Sequence, residues 1–477
     1  MRTYAAIALL CLAGCTVGPD FHAPDPPPTD RYVQGAAPAV RTVVDRDIPA
    51  EWWGVFESKD IDALVQRALR GNPTLDQARA RLTQAQELRT ARQGSALYPR
   101  LDLSAGAERQ RIDPATFGFP GAPNPGPFNV WSLGGNASYN FDVFGGARRE
   151  LEALAAEVDY QAYELEGARL TIASNVVATA IRQAQLAAHI DLVASIVSMQ
   201  QRELAITDER YRAGGVAWLA VQNQRALVAQ TEAGLPPLRA QLAQTGHQLA
   251  VLMGEPPGTA ELPLLSLDAL RLPAELPLRL PSELVRQRPD IRASEALLHK
   301  ASANVGVATA DLYPKLVVSG SFSSSQLNIG DVLGNGINVW SIGLNLLQPI
   351  FRGGELQARK RAAEAAYEQA LGGYRQTVLQ GLQNVADVLR ALEADAASFE
   401  ARSEQAARAE DVYRITLEQF RAGGVSELAV VDADRQRLAA EVDRLTTRAS
   451  RYADVAALYQ ALGGGWTPPA QPVSEAK

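Results

Sequence analysis

The sequence predicts an α+β membrane protein built from an internal tandem repeat, with β-hairpins alternating with very long helices. Three observations carry this. The turn "RAGGV" is spelled twice, at residues 212–216 and 421–425 of the 477-residue chain. Long stretches hold apolar residues at the heptad period of supercoiled helices. Four short segments alternate apolar and polar residues, which requires one face in an apolar medium and the other in water.

Composition narrows the class. Hydrophobic residues make up 47% of the chain and mean hydropathy is −0.11, which excludes both a disordered chain and a polytopic helical membrane protein. A net charge of −7 without any Lys/Arg block argues against nucleic acid as a partner.

At the N-terminus, "MRTYAAIALLCLAGC" has Arg2, then the apolar run Ala5–Ala13, then small residues before Cys15. Residues 1–14 read as a signal peptide, too short to remain as a spanning helix. "LAGC" resembles a bacterial lipoprotein box in which Cys15 becomes the acylated first residue. Thr16 follows instead of the aspartate tied to inner-membrane retention, so the resemblance implies the outer membrane. Each buried acyl methylene contributes about 0.8 kcal/mol to such an anchor. Cys11 leaves with the signal and Cys15 is capped, so no disulfide or thiolate metal site is expected. His22, His189, His247 and His299 are scattered, with no partner at metal-ligand spacing. No nucleophile–base set or phosphate loop appears, so neither catalysis nor a cofactor is expected.

The repeat extends well beyond the glycines. "LYPRLDLSAG" (97–106) matches "LYPKLVVSGS" (312–321), and "NVWSLGGNASYNF" (129–141) matches "NVWSIGLNLLQPI" (338–350). "NPTLDQARARL" (72–82) matches "RPDIRASEALL" (288–298), in the same order. The organisation read from this is a lipidated N-terminal segment over 15–72 and a first repeat over 73–254, with its hairpin at 99–143. A linker follows over 255–288, then a second repeat over 289–462 with its hairpin at 314–350, and a tail over 463–477.

Each repeat reads as helix, strand pair, long helix, turn, helix. Tyr374, Val378, Leu382, Val385, Leu389, Leu392, Ala396 and Phe399 step by threes and fours, and Leu186, Ile190, Val193, Val197 and Leu204 repeat this more weakly. The long helices run over about 147–210 and about 355–419, roughly 96 Å each at 1.5 Å per residue. Their short partners, about 74–97 with 217–253 and about 290–312 with 426–462, match them in length when stacked end to end. Between such helices "RAGGV" must reverse the chain, and Gly-Gly supplies the backbone freedom. The turns then form an exposed tip where a partner docks. The Pro- and Leu-rich linker, the segment around "EWWGVF" and the tail after Gly463 are expected to pack together as a collar around the helices.

In the strands, Trp131, Leu133, Ala137, Tyr139 and Phe141 alternate with Ser132, Asn136, Ser138 and Asn140. Trp340, Ile342, Leu344 and Leu346 repeat the pattern, with partner strands from Leu101 and Leu316. About ten residues per strand suits an outer-membrane barrel. Trp131, Tyr139, Phe141 and Trp340 are placed as interfacial aromatics. Four strands cannot close a barrel, and an open edge in lipid leaves backbone groups unpaired, so several chains must complete it. Two would give eight strands and three would give twelve.

Taken together, "CTVGPDFHAP", "EWWGVF", both "YP" strand starts, both "RAGGV" turns, "VQN" at 221–223, "VVDADRQRL" and "ALGGGW" make the chain resemble the outer membrane factors of tripartite export systems. These are the TolC-like channels, and the similarity is to their lipidated OprM/NodT-type branch. The resemblance implies a homotrimer: a twelve-stranded barrel continued by a periplasmic α-helical coiled-coil barrel. It implies passive conduction, fed by an inner-membrane RND-type transporter through a periplasmic adaptor. The adaptor-contact tips carry over to Arg212, Gly214, Gly215, Val216, Arg421, Gly423, Gly424 and Val425. The family's "LLDAQ" aspartate carries over to Asp432 as a periplasmic gate, where three carboxylates would favour cations. Asp434 lies about 200° further round the helix, so both cannot face one pore. Ala220 stands where many relatives place an acid before "VQN", so no gate bond is expected there. The leading function is the exit duct of a drug-efflux pump. Alternatives are a type I protein-secretion duct, and a lipid-anchored coiled coil without a lumen.

Overall fold

The computed structural model describes residues 16–29, 31–34, 42–44, 48–273, 275–334 and 337–466. Cys15, the signal peptide and residues 467–477 lie outside them. The helices are α1 (Lys59–Gly71), α2 (Pro73–Leu97), α3 (Gly146–Arg212), α4 (Trp218–Glu232), α5 (Leu235–Leu252), α6 (Pro281–Gln287), α7 (Pro289–Ala310), α8 (Glu355–Arg421) and α9 (Glu427–Ala461). The strands are β1 (Thr42–Val44), β2 (Arg100–Gln110), β3 (Phe128–Phe141), β4 (Leu276–Leu278), β5 (Lys315–Gln326) and β6 (Ile337–Leu347). No helix among the described residues is long and apolar enough to cross a membrane.

The chain forms two compact units, and neither corresponds to one repeat. The first comprises residues 1–24, 81–161 and 294–374, and the second 25–80, 162–293 and 375–477. Each therefore draws on both copies.

The first unit contains a four-stranded antiparallel sheet in the order β2-β3-β5-β6. The two hairpins are those the repeat predicts, and β3 joins them by pairing with β5, with Ala137 opposite Gly320. Register makes the two faces chemically distinct. Leu103, Gly135, Phe322 and Trp340 share one row, and Leu101, Ala137, Gly320 and Ile342 share the next on the same face. The intervening row on the opposite face is Asp102, Asn136, Ser321 and Ser341, whose two serine hydroxyls are 2.8 Å apart. Leu103 is 81% exposed and Ile342 78% exposed, so no other described residues cover these apolar rows. β2 and β6 end the strand order, each with a single neighbour. Trp131 lies opposite Ala107 and Gln326, and Trp340 opposite Phe322. The Tyr139 and Phe141 rings meet edge to face at 4.8 Å where β3 ends.

The second unit holds the main hydrophobic core. Trp52, Trp53, Phe56, Ile61 and Leu64 from the N-terminal segment, Leu265, Leu267, Leu276 and Leu284 from the linker, and Tyr452 and Leu458 of α9 pack into one cluster. The helical seam is as the spacing indicates, with Val378, Val385, Leu389 and Leu392 of α8 buried. Along α3, Ile172, Val176, Val177 and Ile181 form a wider buried face than a heptad seam. Linker strand β4 pairs in parallel with β1. The helix expected over 217–253 is instead two, α4 and α5, divided at Ala233–Gly234. Pro236 and Pro237 lack the N–H groups a continuous helix needs and are tolerated only at a helix start. The second copy has Leu445 and Thr446 at the equivalent positions, and α9 runs unbroken.

Candidate functional site

The two "RAGGV" turns close by the same bonds. Gly215 N–H donates to Arg210 C=O at 2.8 Å and Gly214 N–H to Tyr211 C=O at 2.9 Å. Gly424 donates to Gln419 at 2.8 Å and Gly423 to Phe420 at 2.9 Å. In each turn the second glycine makes the six-to-one bond and the first the five-to-two bond, which end α3 and α8 in the manner of a Schellman cap. Only the first glycine of each pair is demanded by the backbone, with φ of +76° at Gly214 and +79° at Gly423. A Cβ on Gly215 or Gly424 would lie 3.4 Å from the carbonyl its amide already bonds, a tight but tolerable contact. Arg212, Gly214, Gly215, Arg421, Gly423 and Gly424 are exposed, while Val216 and Val425 are half-buried.

Beyond the second turn, α9 separates the two acidic residues of "VVDAD". Asp432 is exposed and accepts a 2.7 Å bond from Gln436 one helical turn on. Asp434 is 6% exposed and faces the protein interior. Its carboxylate takes 2.8 and 3.1 Å bonds from the Arg437 guanidinium and 3.1 Å from Gln200 Nε2 of α3. Gln224 Nε2 of α4 bonds the Gln200 carbonyl at 3.2 Å, and Arg437 lies 4.9 Å from the Tyr413 ring of α8. Four helices thus meet at one buried polar cluster. Burial, then the Asp434 charge, raises the Glu203 carboxyl above its ordinary range. Burial first and the Glu203 charge next push the Tyr413 hydroxyl up to about 12. This network was missed from sequence, although Asp434 and Arg437 stand at the i, i+3 spacing of an intrahelical ion pair.

A second acidic contact lies on the same helix pair. Burial pushes the Asp454 carboxyl of α9 up to about 7, assisted by the charge of Asp395 on α8 and a hydrogen bond to it.

Residues immediately after Cys15 are pinned where β3 passes into α3. Asp142 caps that helix, accepting from the N–H groups of Ala147 and Arg148 at 3.0 and 2.9 Å. Val17 N–H bonds the Phe144 carbonyl at 3.1 Å. Thr16 lies so close to Gly145 that a Cβ there would approach its Cγ2 to 2.7 Å. Arg149, buried on α3, bonds the Val17 carbonyl and reaches Asp20 at 2.6 Å and Glu152 at 2.8 Å. Phe21 stacks on His299 of α7 at 4.4 Å. His299, partly buried, in turn contacts Glu152 at 2.9 Å.

Comparison with known proteins places this geometry. The sequence model of the family described as "Outer membrane efflux protein" matches residues 64–255 and 280–464, one block on each repeat. The chain is 31% identical over 423 residues to the pyoverdine export outer membrane protein OpmQ of Pseudomonas aeruginosa, covering 87% of each chain. It is 28% identical over 476 residues to the toluene efflux pump outer membrane protein TtgF of Pseudomonas putida, covering 98% of each. Among solved structures, the outer-membrane channel OprN aligns with a TM-score of 0.85 at 28% identity, over 95% of this chain and all of that one.

Proposed function

Because the chain belongs to the outer membrane efflux protein family, and has the TolC-like fold its sequence indicates, we propose that three copies form the exit duct of a tripartite pump. The sheet carries this reading. It has an apolar face that no other described residues cover, a polar opposite face, and at each end a strand with a single neighbour among the described residues. Completed by sister subunits, the apolar rows meet lipid and the polar rows line water.

Conduction is passive. Small molecules enter from an inner-membrane transporter of the RND type through a periplasmic adaptor, and the transporter supplies the energy. Relatives named for pyoverdine export and toluene efflux favour small-molecule cargo over protein secretion. The adaptor contacts the exposed turns around Gly214, Gly215, Gly423 and Gly424. Asp432, exposed on α9, contributes one carboxylate per subunit to the periplasmic constriction. Acylated Cys15 adds a lipid anchor, supported by its neighbour Thr16 lying at the strand-to-helix junction, where a barrel leaves the bilayer.

The test is electrical. Purified protein in a planar bilayer is expected to give discrete, cation-preferring channels, and Asp432→Asn to raise conductance or weaken that preference. A membrane-bound trimer that never conducts would refute the duct. An unchanged Asp432→Asn channel would remove the gate assignment alone.

A further inference from the structure

The apolar face of the sheet ends, on β2, in two arginines. Leu101, Leu103, Ala105 and Ala107 occupy that face, and the same alternation brings Arg109, then Arg111 just past the strand. They lie at the end of β2 remote from α2, where the hairpin turns. Ala107 pairs with Trp131 and Arg109 with Asn129, so the charges begin where the aromatic stands. Both arginines are exposed, and among the described residues neither guanidinium has an ion-pair or hydrogen-bond partner. The carboxylates at this end are turned away or engaged. Glu108 falls on the polar face by alternation. Asp113 accepts from the Ala115 N–H at 3.1 Å, and Asp331 from the Asn328 amide at 3.3 Å. Repeat symmetry does not demand the charges, because it maps Arg109 and Arg111 onto Ser324 and Gln326. Ser324 is 3% exposed and bonds the Val332 carbonyl of its own hairpin turn, whereas Arg109 stands open.

We propose that Arg109 and Arg111 bind the phosphate of an acylated headgroup in the outer leaflet, at the seam between two subunits. This goes beyond the duct reading above and rests on it. With β6 of the partner subunit meeting β2 as β3 meets β5, Trp131 opposite Gln326 becomes the partner subunit's Trp340 opposite Arg111. The seam therefore sets two guanidiniums beside an indole, at the depth where aromatic side chains mark the edge of the hydrocarbon. An arginine is costly in the middle of a bilayer and tolerated at its edge, where the stem lies along apolar surface and the head reaches the phosphates. Its planar fork offers parallel N–H donors that match two phosphate oxygens. The acyl chains of the same lipid run over Leu103 and Ala105, which are exposed. A free anion would gain the charge contact but not this apolar one.

The test titrates the full-length protein, purified in neutral detergent, with bis-phosphorylated lipid A, dephosphorylated lipid A or inorganic phosphate, and native mass spectrometry counts what is bound. The phosphorylated lipid is expected to saturate at one per subunit and to bind at least about tenfold more tightly than the dephosphorylated form. Arg109→Gln/Arg111→Gln should weaken it at least about tenfold, and Arg109→Lys/Arg111→Lys about threefold, since lysine keeps the charge but not the fork. Arg408→Gln, which removes an exposed cation of α8, should stay within about twofold. Equal binding of the two lipids, an undiminished glutamine pair, or the same loss in Arg408→Gln would overturn the proposal. So would displacement of the lipid by millimolar inorganic phosphate, which would assign the arginines to a soluble anion. Should the glutamine pair fail to assemble, Arg111→Gln alone decides, with a loss of at least about threefold expected and unchanged affinity refuting the site. Bilayer conductance is read on the same samples. A variant that conducts like the parent but has lost the lipid supports the site, whereas a parent protein that never conducts refutes the duct and the seam with it.

Discussion

Arg149 and Asp20, 129 positions apart in sequence, meet at 2.6 Å and fasten the first described segment to α3. The guanidinium is 6% exposed and the carboxylate 82%, so the two partners are unequal. Removing the arginine empties a buried site and leaves Glu152 with only its His299 contact, and Arg149→Ala should cost about 2–3 kcal/mol, read by denaturant unfolding. Asp20→Asn should leave global stability nearly unchanged yet make residues 17–24 more sensitive to protease. The Arg149 hydrogen bond lowers the Asp20 carboxyl below its ordinary value. The contact is therefore present at neutral pH and lost only as pH falls through that depressed value. Protease sensitivity of this segment that rises towards alkaline pH would contradict it.

The glycines of each tip should not be interchangeable. Gly214→Ala forces an alanine into the left-handed region, which costs about 1–2 kcal/mol. Gly215→Ala meets only a tight contact and should be close to neutral in stability. If tip docking needs a bare surface, Gly215→Trp should abolish export while leaving protein level and conductance intact. Drug susceptibility of the host and bilayer recording measure the two separately.

Asp454 gives a pH dependence of opposite sign to Asp20. Its folded-state pKa is raised to about 7 from the ordinary value of 3.8, chiefly by burial. The folded state therefore holds a proton that the unfolded state has released, and this part of stability falls as pH rises between about 4 and 7. Asp454→Asn should raise the melting temperature at pH 8 and leave it unchanged at pH 4. A variant less stable than the parent at pH 8 would show that the carboxylate is needed in its charged form.

The internal repeat fixes how neighbouring subunits should pair. β3 meets β5 within the chain, and the same positions of the repeat place β6 against β2 of the next subunit. Ala137 opposite Gly320 becomes Leu346 opposite the partner subunit's Ala105. Opposed strand residues lie within the Cα range a disulfide spans. The double variant Leu346→Cys/Ala105→Cys should form covalent dimers and trimers on non-reducing gels. Leu346→Cys/Leu101→Cys, four residues out of register, should not.

Much of this architecture was legible because it rests on periodicity. Spacings of two and of three-and-four residues name the faces of β3 and α8 directly, and the duplicated "RAGGV" locates both turns. The break between α4 and α5 was also visible in Gly234 and Pro236, but similarity to the unbroken second copy obscured it. The helical angle between Asp432 and Asp434 puts them on different sides of α9, one exposed and one buried. What Asp434 bonds was not readable, since Gln200 lies 234 residues away on another helix. The Trp52, Phe56 and Leu284 core escaped detailed reading for the same reason: it joins three distant segments with no shared period.

The uncovered rows and unpaired borders of the sheet have a consequence for biogenesis. A newly exported subunit in the periplasm carries a greasy surface and two sticky rims that none of its described residues shields. Completing the barrel then calls for three such subunits to meet at the bilayer, a step of higher order in concentration that slows when they are scarce.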